Sequence, residues 1–588
     1  MSNLKWWQKA VFYQIYPRSF ADGNQDGIGD LPGMIEKLDY LEDLGIDAIW
    51  LSPHYPSPLF DCGYDVANYA AVAPEYGALD DFRRLLDGCH QRGLRLILDL
   101  VLNHTSHLHP WFQESRSSRE NPKRDWYVWR DGRAGSGGQT APPNNWYSAF
   151  GGPAWENDPL TGQYYYHYFF KEQPDLNWRN PQVKQAVFDA ARFWLELGVD
   201  GFRLDAIGTI FEDPAMPDQG SAYTQAELYR LSRSLGHEKP DPHLFKEYKR
   251  MYAHQLDQPE VHGLMRELRS ILDRYDDRVL VGETDDIAYC GDGSNELNLV
   301  FNFPLMHTRI LSPGWVRLNQ RQRLSALPAA AWPCNTLGNH DSPRLYSRFG
   351  DGIHDAQLAR LSLALMLTLR GTPFLYNGEE IGMTDWLLTE LSQFRDMLGV
   401  WAYNMEKDIL GVSEQEALEF ASRKSRDKCR TPFQWGPGPN GGFCPADAAP
   451  WLPVNPNYTS GVNAADQDRD PASLLNFYRR LLRLRKQTPA LIAGNYLPLH
   501  EESKKYLAFL RCSPSDHQTC LVVLNLSDQP NTLRFDSLPA GAEGRPTASP
   551  GELPKARLLF SSRERPAAVD SLLELSIAPW EIYIAELG

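Results

Sequence analysis

Residues 79–100, LDDFRRLLDGCHQRGLRLILDL, decide the fold. Leu79–Arg92 carries apolar side chains at helical spacing and stops before Gly93, a residue suited to ending a helix. Leu94–Leu100 is nearly continuously apolar, the pattern of a strand buried on both faces of a parallel sheet. Upstream the same beat occurs with strands at Val11–Tyr16 and Ala48–Leu51, separated by Met34, Ile35, Leu38, Leu41 and Leu44 at helical spacing. Downstream it resumes at Gly201–Leu204, Val279–Val281, Val300–Phe303, Pro333–Leu337 and Pro373–Tyr376. Eight strand–helix units predict an α/β fold, a closed (β/α)8 barrel with its site at the carboxyl ends of the strands.

Two irregular stretches interrupt the beat. His104 to Gln173, rich in Gly, Pro, Trp and Tyr, is expected to form a subdomain inserted after the third strand. Ile381 to Ala465 follows the eighth strand and contains PGPNGG, a loop signal. After the amphipathic segment Ser473–Gln487, short alternating runs such as Tyr506–Arg511 and Thr519–Leu526 predict a C-terminal antiparallel β-sandwich. The expected division is a barrel over 1–103 and 174–490, an insertion over 104–173 and a sandwich over 491–588. No internal repeat or low-complexity segment is visible.

The chain of 588 residues is long enough for several cores. Its net charge of −16 argues against nucleic acid or an anionic membrane as partner, because both require clustered cations. A neutral small molecule fits better. No run of apolar residues is long enough to span a membrane, and the start has no secretory pattern, so a cytoplasmic location is expected. The eight cysteines show no CxxC pair or zinc-like spacing, which suits reduced thiols; a Cys512–Cys520 bridge is the alternative.

Three acids stand at predicted strand ends: Asp205 in GFRLDA, Glu283 in VGETDD and Asp341 in LGNHDSPR. Rigid scaffold there holds a carboxylate while leaving it open to substrate. Cleavage of a glycoside with retention needs a carboxylate to attack the anomeric carbon and a protonated carboxyl to donate to the leaving oxygen. Arg203, two residues before Asp205, lies on the same strand face and is expected to keep Asp205 ionised as nucleophile. Repulsion from neighbouring carboxylates favours Glu283 as the acid.

DLVLNH (99–104), GFRLDA (201–206), GETDD (282–286) and LGNHD (337–341), in this order, resemble the four signature regions of the α-amylase superfamily. QIYPRSF, DCGYDVANY, QPDLNW, RTPFQW and YNGEEIGM resemble its α-glucosidase branch of maltases and oligo-1,6-glucosidases, from Trp6 to about Gln487. The resemblance implies Asp205 as nucleophile, Glu283 as acid/base and Asp341 as stabiliser of the transition state. It implies a glucose pocket made by Asp61, Tyr64, His104, Arg203, His340 and Arg426, walled by Phe150, Phe169 and Gln173. Asp99 and Asn103 are expected to prop the site. A closed pocket of this kind implies exo-action on short α-glucosides, with no organic cofactor and a monomeric or homodimeric enzyme.

Asp22, Asn24, Asp26 and Asp30 alternate along a glycine-bearing loop like the start of an EF-hand, although Gly33 stands where a closing Glu would be. The resemblance favours a structural Ca2+ or Mg2+ on these four side chains and the Ile28 carbonyl; a solvated acidic turn is the alternative. In this branch the residue after the nucleophile tends to be Val for α-1,6 bonds and Ala or Thr for α-1,4 bonds. Ala206 therefore predicts maltose-like or sucrose-like substrates. The polar stretch Phe211–Val261 is expected to narrow the aglycone side or to form a dimer contact. Sucrose isomerases of this branch carry an Arg-Leu-Asp-Arg-Asp element, and Arg317-Leu318-Asn319-Gln320-Arg321 lacks its acids, which predicts hydrolysis over isomerisation. A transglucosylase shares every one of these residues. A non-catalytic transporter subunit is the remote alternative, disfavoured by the three retained acids and the lack of a membrane span.

Overall fold

In the computed structural model, residues 4–135, 140–234, 241–535, 554–565 and 569–588 are described. Parts of the expected insertion (136–139), of the long polar stretch (235–240) and of the expected C-terminal domain (536–553 and 566–568) lie outside them.

Eight parallel strands form one sheet: β1 Phe12–Ile15, β2 Ala48–Leu51, β3 Arg95–Val101, β4 Gly201–Asp205, β5 Val279–Gly282, β6 Leu299–Val300, β7 Cys334–Thr336 and β8 Thr372–Tyr376. Their order is β6-β5-β4-β3-β2-β1-β8-β7. The open edge between β6 and β7 is bridged by side chains: Asn302 Nδ2 donates to Asn335 Oδ1 at 3.1 Å. The Arg323 guanidinium also donates to the Val300 and Phe301 carbonyls at 2.8 Å. Sequence placed a strand over Val300–Phe303, whereas pairing stops at Val300 and Phe303 opens a short helix with Pro304 in its first turn. Proline cannot donate to a ladder but fits the start of a helix.

Side chains alternate along each strand, so one set points into the barrel and the other toward the helices. Phe12, Ala48, Trp50, Ile97, Val279, Val281, Phe301 and Phe374 fill the interior, with Phe12 and Phe374 stacked at 4.4 Å between centroids. The inward series then turns polar toward the carboxyl ends, Ile97 giving way to Asp99 and Val281 to Glu283. Gly201 starts β4 at φ +150°, where a Cβ would lie 2.1 Å from the Val279 carbonyl oxygen. That close approach keeps β4 in register with β5, and so places Arg203 and Asp205.

The insertion holds a three-stranded antiparallel sheet of Trp129–Asp131, Gln163–Tyr166 and Trp155–Asp158, tied to the barrel by bridges His104–Asp175 and Tyr127–Leu176. The stretch after β4 folds into helices Gln225–Ser234 and Pro242–Tyr252, which pack within the chain. Gln225 and Tyr252 donate to the Ser148 carbonyl of the insertion, and Tyr229 and Arg233 hold Glu406. Arg317–Arg321, compared above with an isomerase element, lies in helix α1 Pro313–Ala326. Arg317 donates to the Ser503 and Tyr506 carbonyls beyond the barrel, and Asn319 pairs with Asn302 at the barrel seam. Arg317 and Asn319 thus serve packing.

Helices α2 Asp355–Thr368 and α3 Leu474–Gln487 flank the last barrel strand and meet the C-terminal region. There, β9 Asn495–Leu499, β10 Tyr506–Ser513, β11 Gln518–Asn525, β12 Ala556–Ser561 and β13 Ile582–Leu587 join Val569–Asp570 in an antiparallel sheet. A second sheet pairs Asn531–Leu533 with Leu575–Ile577, and a separate apolar cluster fills the space beside both. All eight cysteines are buried and unbridged, Cys512 and Cys520 included.

Candidate active site

A cavity of about 340 Å3 opens at the carboxyl ends of the strands, lined by Asp61, Tyr64, His104, Phe150, Phe169, Asp205, Glu283, Asp341 and Arg426. Three further expected residues, Gln173, Arg203 and His340, form the buried layer behind these side chains. Residues from every part of the sequence between 61 and 426 thus meet at one place.

Arg203 organises the floor. Its guanidinium contacts Asp205 at 2.7 Å, Glu283 at 2.6 Å and Asp99, so three carboxylates share one cation. Trp50 Nε1 donates to Asp99 at 3.0 Å, which holds the buried Asp99 carboxylate behind Arg203. Burial raises the Asp205 carboxyl well above its ordinary range; Arg203 opposes this, while Glu283 and Asp99 add to it. Asp99 is pushed up to about 6, by burial first and against the pull of Arg203. Arg203 thus acts on Asp205 in the expected sense, favouring its ionised form, but it shares its charge among three buried carboxylates, two of which work against it.

Ala206, directly after Asp205, has φ +40° in the left-handed region, and its N–H donates to Glu283 Oε2 at 2.9 Å. This backbone bond and Arg203 together fix the Glu283 carboxylate beside Asp205.

Asp341 is held differently. Burial would raise its carboxyl, but His340, Arg430 and Arg426 pull it well below the usual carboxylate range. Arg430 contacts it at 2.5 Å and Arg426 at 3.8 Å. His340 is fully buried, and burial depresses its own pKa far below normal, so the fixed positive charges on Asp341 are the two arginines. Gln14 Nε2 donates to His340 Nδ1 at 2.6 Å, which leaves Nε2 as the protonated nitrogen facing the Tyr64 hydroxyl at 2.5 Å. The Tyr64 ring stacks on His340 with centroids 5.4 Å apart and forms a flat wall.

The far end of the cavity is closed by charge. Arg426 spans Asp61 at 2.7 Å and Asp396 at 2.6 Å, and Gln173 Nε2 donates to the second Asp61 oxygen at 3.0 Å. His104, pushed down to about 3 by burial, is neutral and meets the same Gln173 nitrogen at 2.9 Å. Phe150 and Phe169 pack with tilted rings, centroids 5.1 Å apart, and roof the pocket from the insertion.

Sequence reasoning missed Arg430 and Asp396, and also Leu398 and Lys424 of the rim. Arg430 opens the RTPFQW motif and could have been found from it. Asp396 reads locally as a helix cap, accepting from Leu398 N–H at 3.1 Å, and only the fold brings it to Arg426.

On the loop 22–30, Asp22 accepts from the N–H groups of Gln25 and Gly27, Asp26 from Ile28, and Asp30 from Gly23, Asn24 and Gly33. Among the described residues no group of three or more acidic, His or Cys side chains converges as a metal cluster. The all-oxygen chemistry of the donors fits a hard divalent cation.

A parallel eight-stranded barrel carrying paired carboxylates at its strand ends, over a cavity closed on one side, defines the chain as a glycoside hydrolase. It belongs to the α-amylase family, whose catalytic-domain model matches residues 14–494. An oligo-1,6-glucosidase of Parageobacillus thermoglucosidasius is 37% identical over 99% of both chains. An α-glucosidase of Pediococcus pentosaceus is 40% identical over 86% of this chain and 89% of its own. Among solved structures, trehalulose synthase MutB from Pseudomonas mesoacidophila superposes with a TM-score of 0.84 at 37% identity, covering both chains fully. An isomaltulose synthase from Erwinia rhapontici, in complex with its natural substrate sucrose, gives 0.83 at 36%, again over all of both chains. No helix among the described residues is long and apolar enough to cross a membrane.

Proposed function

We propose that the protein is a retaining, exo-acting α-glucosidase that removes the non-reducing terminal glucose of short α-glucosides, with maltose-like or sucrose-like linkages preferred. The observation that carries this reading is Arg203 gripping Asp205 and Glu283 at the floor of a cavity whose opposite end is sealed by Asp61, Arg426 and Asp396. In the first step Asp205 attacks C1 as the C1–oxygen bond breaks, and the leaving oxygen takes the proton of Glu283. In the second, the Glu283 carboxylate accepts a proton from water, whose oxygen attacks C1 and releases Asp205. Asp341, kept anionic by Arg430 and Arg426, stabilises the positive charge developing on the sugar ring. Tyr64 and the Phe150–Phe169 wall give apolar surface to the glucose, while Asp61, Arg426 and the histidines offer partners to its hydroxyls. The reduced cysteines support a cytoplasmic enzyme. A divalent cation on Asp22, Asn24, Asp26, Asp30 and the Ile28 carbonyl would stiffen the loop after β1, a different loop from those that carry the three acids.

The second reading, in which a sugar rather than water takes the glucosyl group from Asp205, is favoured by the sucrose-isomerising structural relatives. Separate incubation with maltose, isomaltose, sucrose and trehalose, followed by chromatography, decides between them. Free glucose from maltose or sucrose as main product is expected. Rearranged or longer sugars as main products would establish transfer, and efficient cleavage of isomaltose alone would overturn the linkage assignment.

A further inference from the structure

Far from the acids, a second cavity of about 290 Å3 lies where helices α2 and α3 meet the C-terminal sheet. Three arginines line it, Arg360 from α2, Arg480 from α3 and Arg563 after β12. Among the described residues each guanidinium donates only to a carbonyl: Ala472 at 2.8 Å, Pro471 at 2.7 Å and Pro579 at 3.2 Å. Among the described residues no carboxylate stands within the 4.0 Å of an ion pair from any of them. In a chain with a net charge of −16, three gathered cations without a counter-ion are conspicuous. Mutual repulsion costs free energy unless an anion comes between them.

Two backbone irregularities face the same cavity. Trp580 sits at φ +58°, a conformation unfavourable for a bulky side chain, immediately before β13. The pairing of β12 with β13 slips between Leu558 and Phe560, and such a bulge re-aims side chains. Both place aromatic rings on the cavity wall beside Phe477, which meets Phe560 edge to face at 5.6 Å. Ser561 and Ser562 add hydroxyls.

From this combination we infer a binding site for a small phosphate monoester, its dianion taken by Arg360, Arg480 and Arg563 and its ring laid against Trp580 and Phe477. Guanidinium forks match phosphate oxygens in geometry and charge. The volume lies at the lower edge of ligand pockets, roughly 300–1,000 Å3, which suits a hexose phosphate or nucleoside monophosphate rather than a dinucleotide. The ligand would join barrel to C-terminal domain, and binding to the folded state alone raises the melting temperature. The inference is independent of the reaction proposed above.

Titration calorimetry and thermal melting with glucose 6-phosphate, adenosine monophosphate and unphosphorylated glucose test it on the full chain. At least one phosphate ester is expected to bind saturably and raise Tm, weakening as salt increases, while unphosphorylated glucose shows no binding that substitution of Arg360 or Arg480 alters. The two esters distinguish a sugar phosphate from a nucleotide. Arg360→Ala and Arg480→Ala, which leave turnover of maltose unchanged, should each weaken binding about tenfold or more. Absence of saturable binding by both esters, or binding equal in wild type and both variants, overturns the site.

Discussion

At the residue scale, the decisive feature is that Asp205 shares one cation with two other carboxylates. Burial, opposed by Arg203 and reinforced by Glu283 and Asp99, holds its folded-state pKa above the unfolded value of about 3.9. Such a group contributes stability below the unfolded pKa, and the contribution is lost as pH rises through the folded one. Asp205→Asn is therefore expected to lower kcat by about 10^4-fold or more while raising Tm, and to raise it more at pH 8 than at pH 5. Turnover within tenfold of wild type would remove Asp205 from its role. The sign reverses at Asp341, where the guanidiniums of Arg430 and Arg426 overcome burial. Its contribution is present above the unfolded pKa and disappears in acid. Strand alternation made Arg203 and Asp205 readable as same-face neighbours, but their protonation was not readable, because Asp99 and Glu283 arrive from other strands.

At the scale of elements, the loop 22–30 and helix α1 show opposite limits of local reading. The loop's alternation of Asp22, Asn24, Asp26 and Asp30 is legible because turns are built from neighbours in sequence. Its carboxylates satisfy the loop's own N–H groups in the structure. If it also holds Ca2+, chelation should lower Tm by several degrees and Ca2+ addition should restore it, with Asp26→Ala insensitive to either; a Tm unchanged by chelator would leave a self-sufficient turn. In α1, the comparison of Arg317–Arg321 with the isomerase element rested on letters alone, whereas the structure commits Arg317 and Asn319 to the C-terminal region and the barrel seam. A short motif carries information only at the right place on the right element.

Across the whole molecule, two buried arginines bind the barrel to the C-terminal domain. Arg485 donates to the carbonyls of Leu367, Leu491 and Gly371, and Arg511 to those of Thr368, Ile492 and Gly494. Burial lowers the pKa of both, that of Arg485 to about 10. Arg511→Met strands three carbonyls and should cost about 2–4 kcal/mol in urea unfolding, with kcat nearly unchanged because residue 511 lies outside the active-site cavity. Equal unfolding midpoints would mean that water replaces the guanidinium there.

The eight-strand barrel and the three acids at its mouth were determined by the sequence alone, since apolar runs and period-two alternation are properties of adjacent residues. Tertiary structure decided what depends on chain closure: the Asp396–Arg426–Asp61 seal, the grip of Arg430 on Asp341 and the sharing of Arg203 by three carboxylates at the floor. Each of these is a Coulombic or hydrogen-bonded contact between residues far apart in the chain. Its strength depends on distance and burial, and neither quantity exists until the barrel has formed.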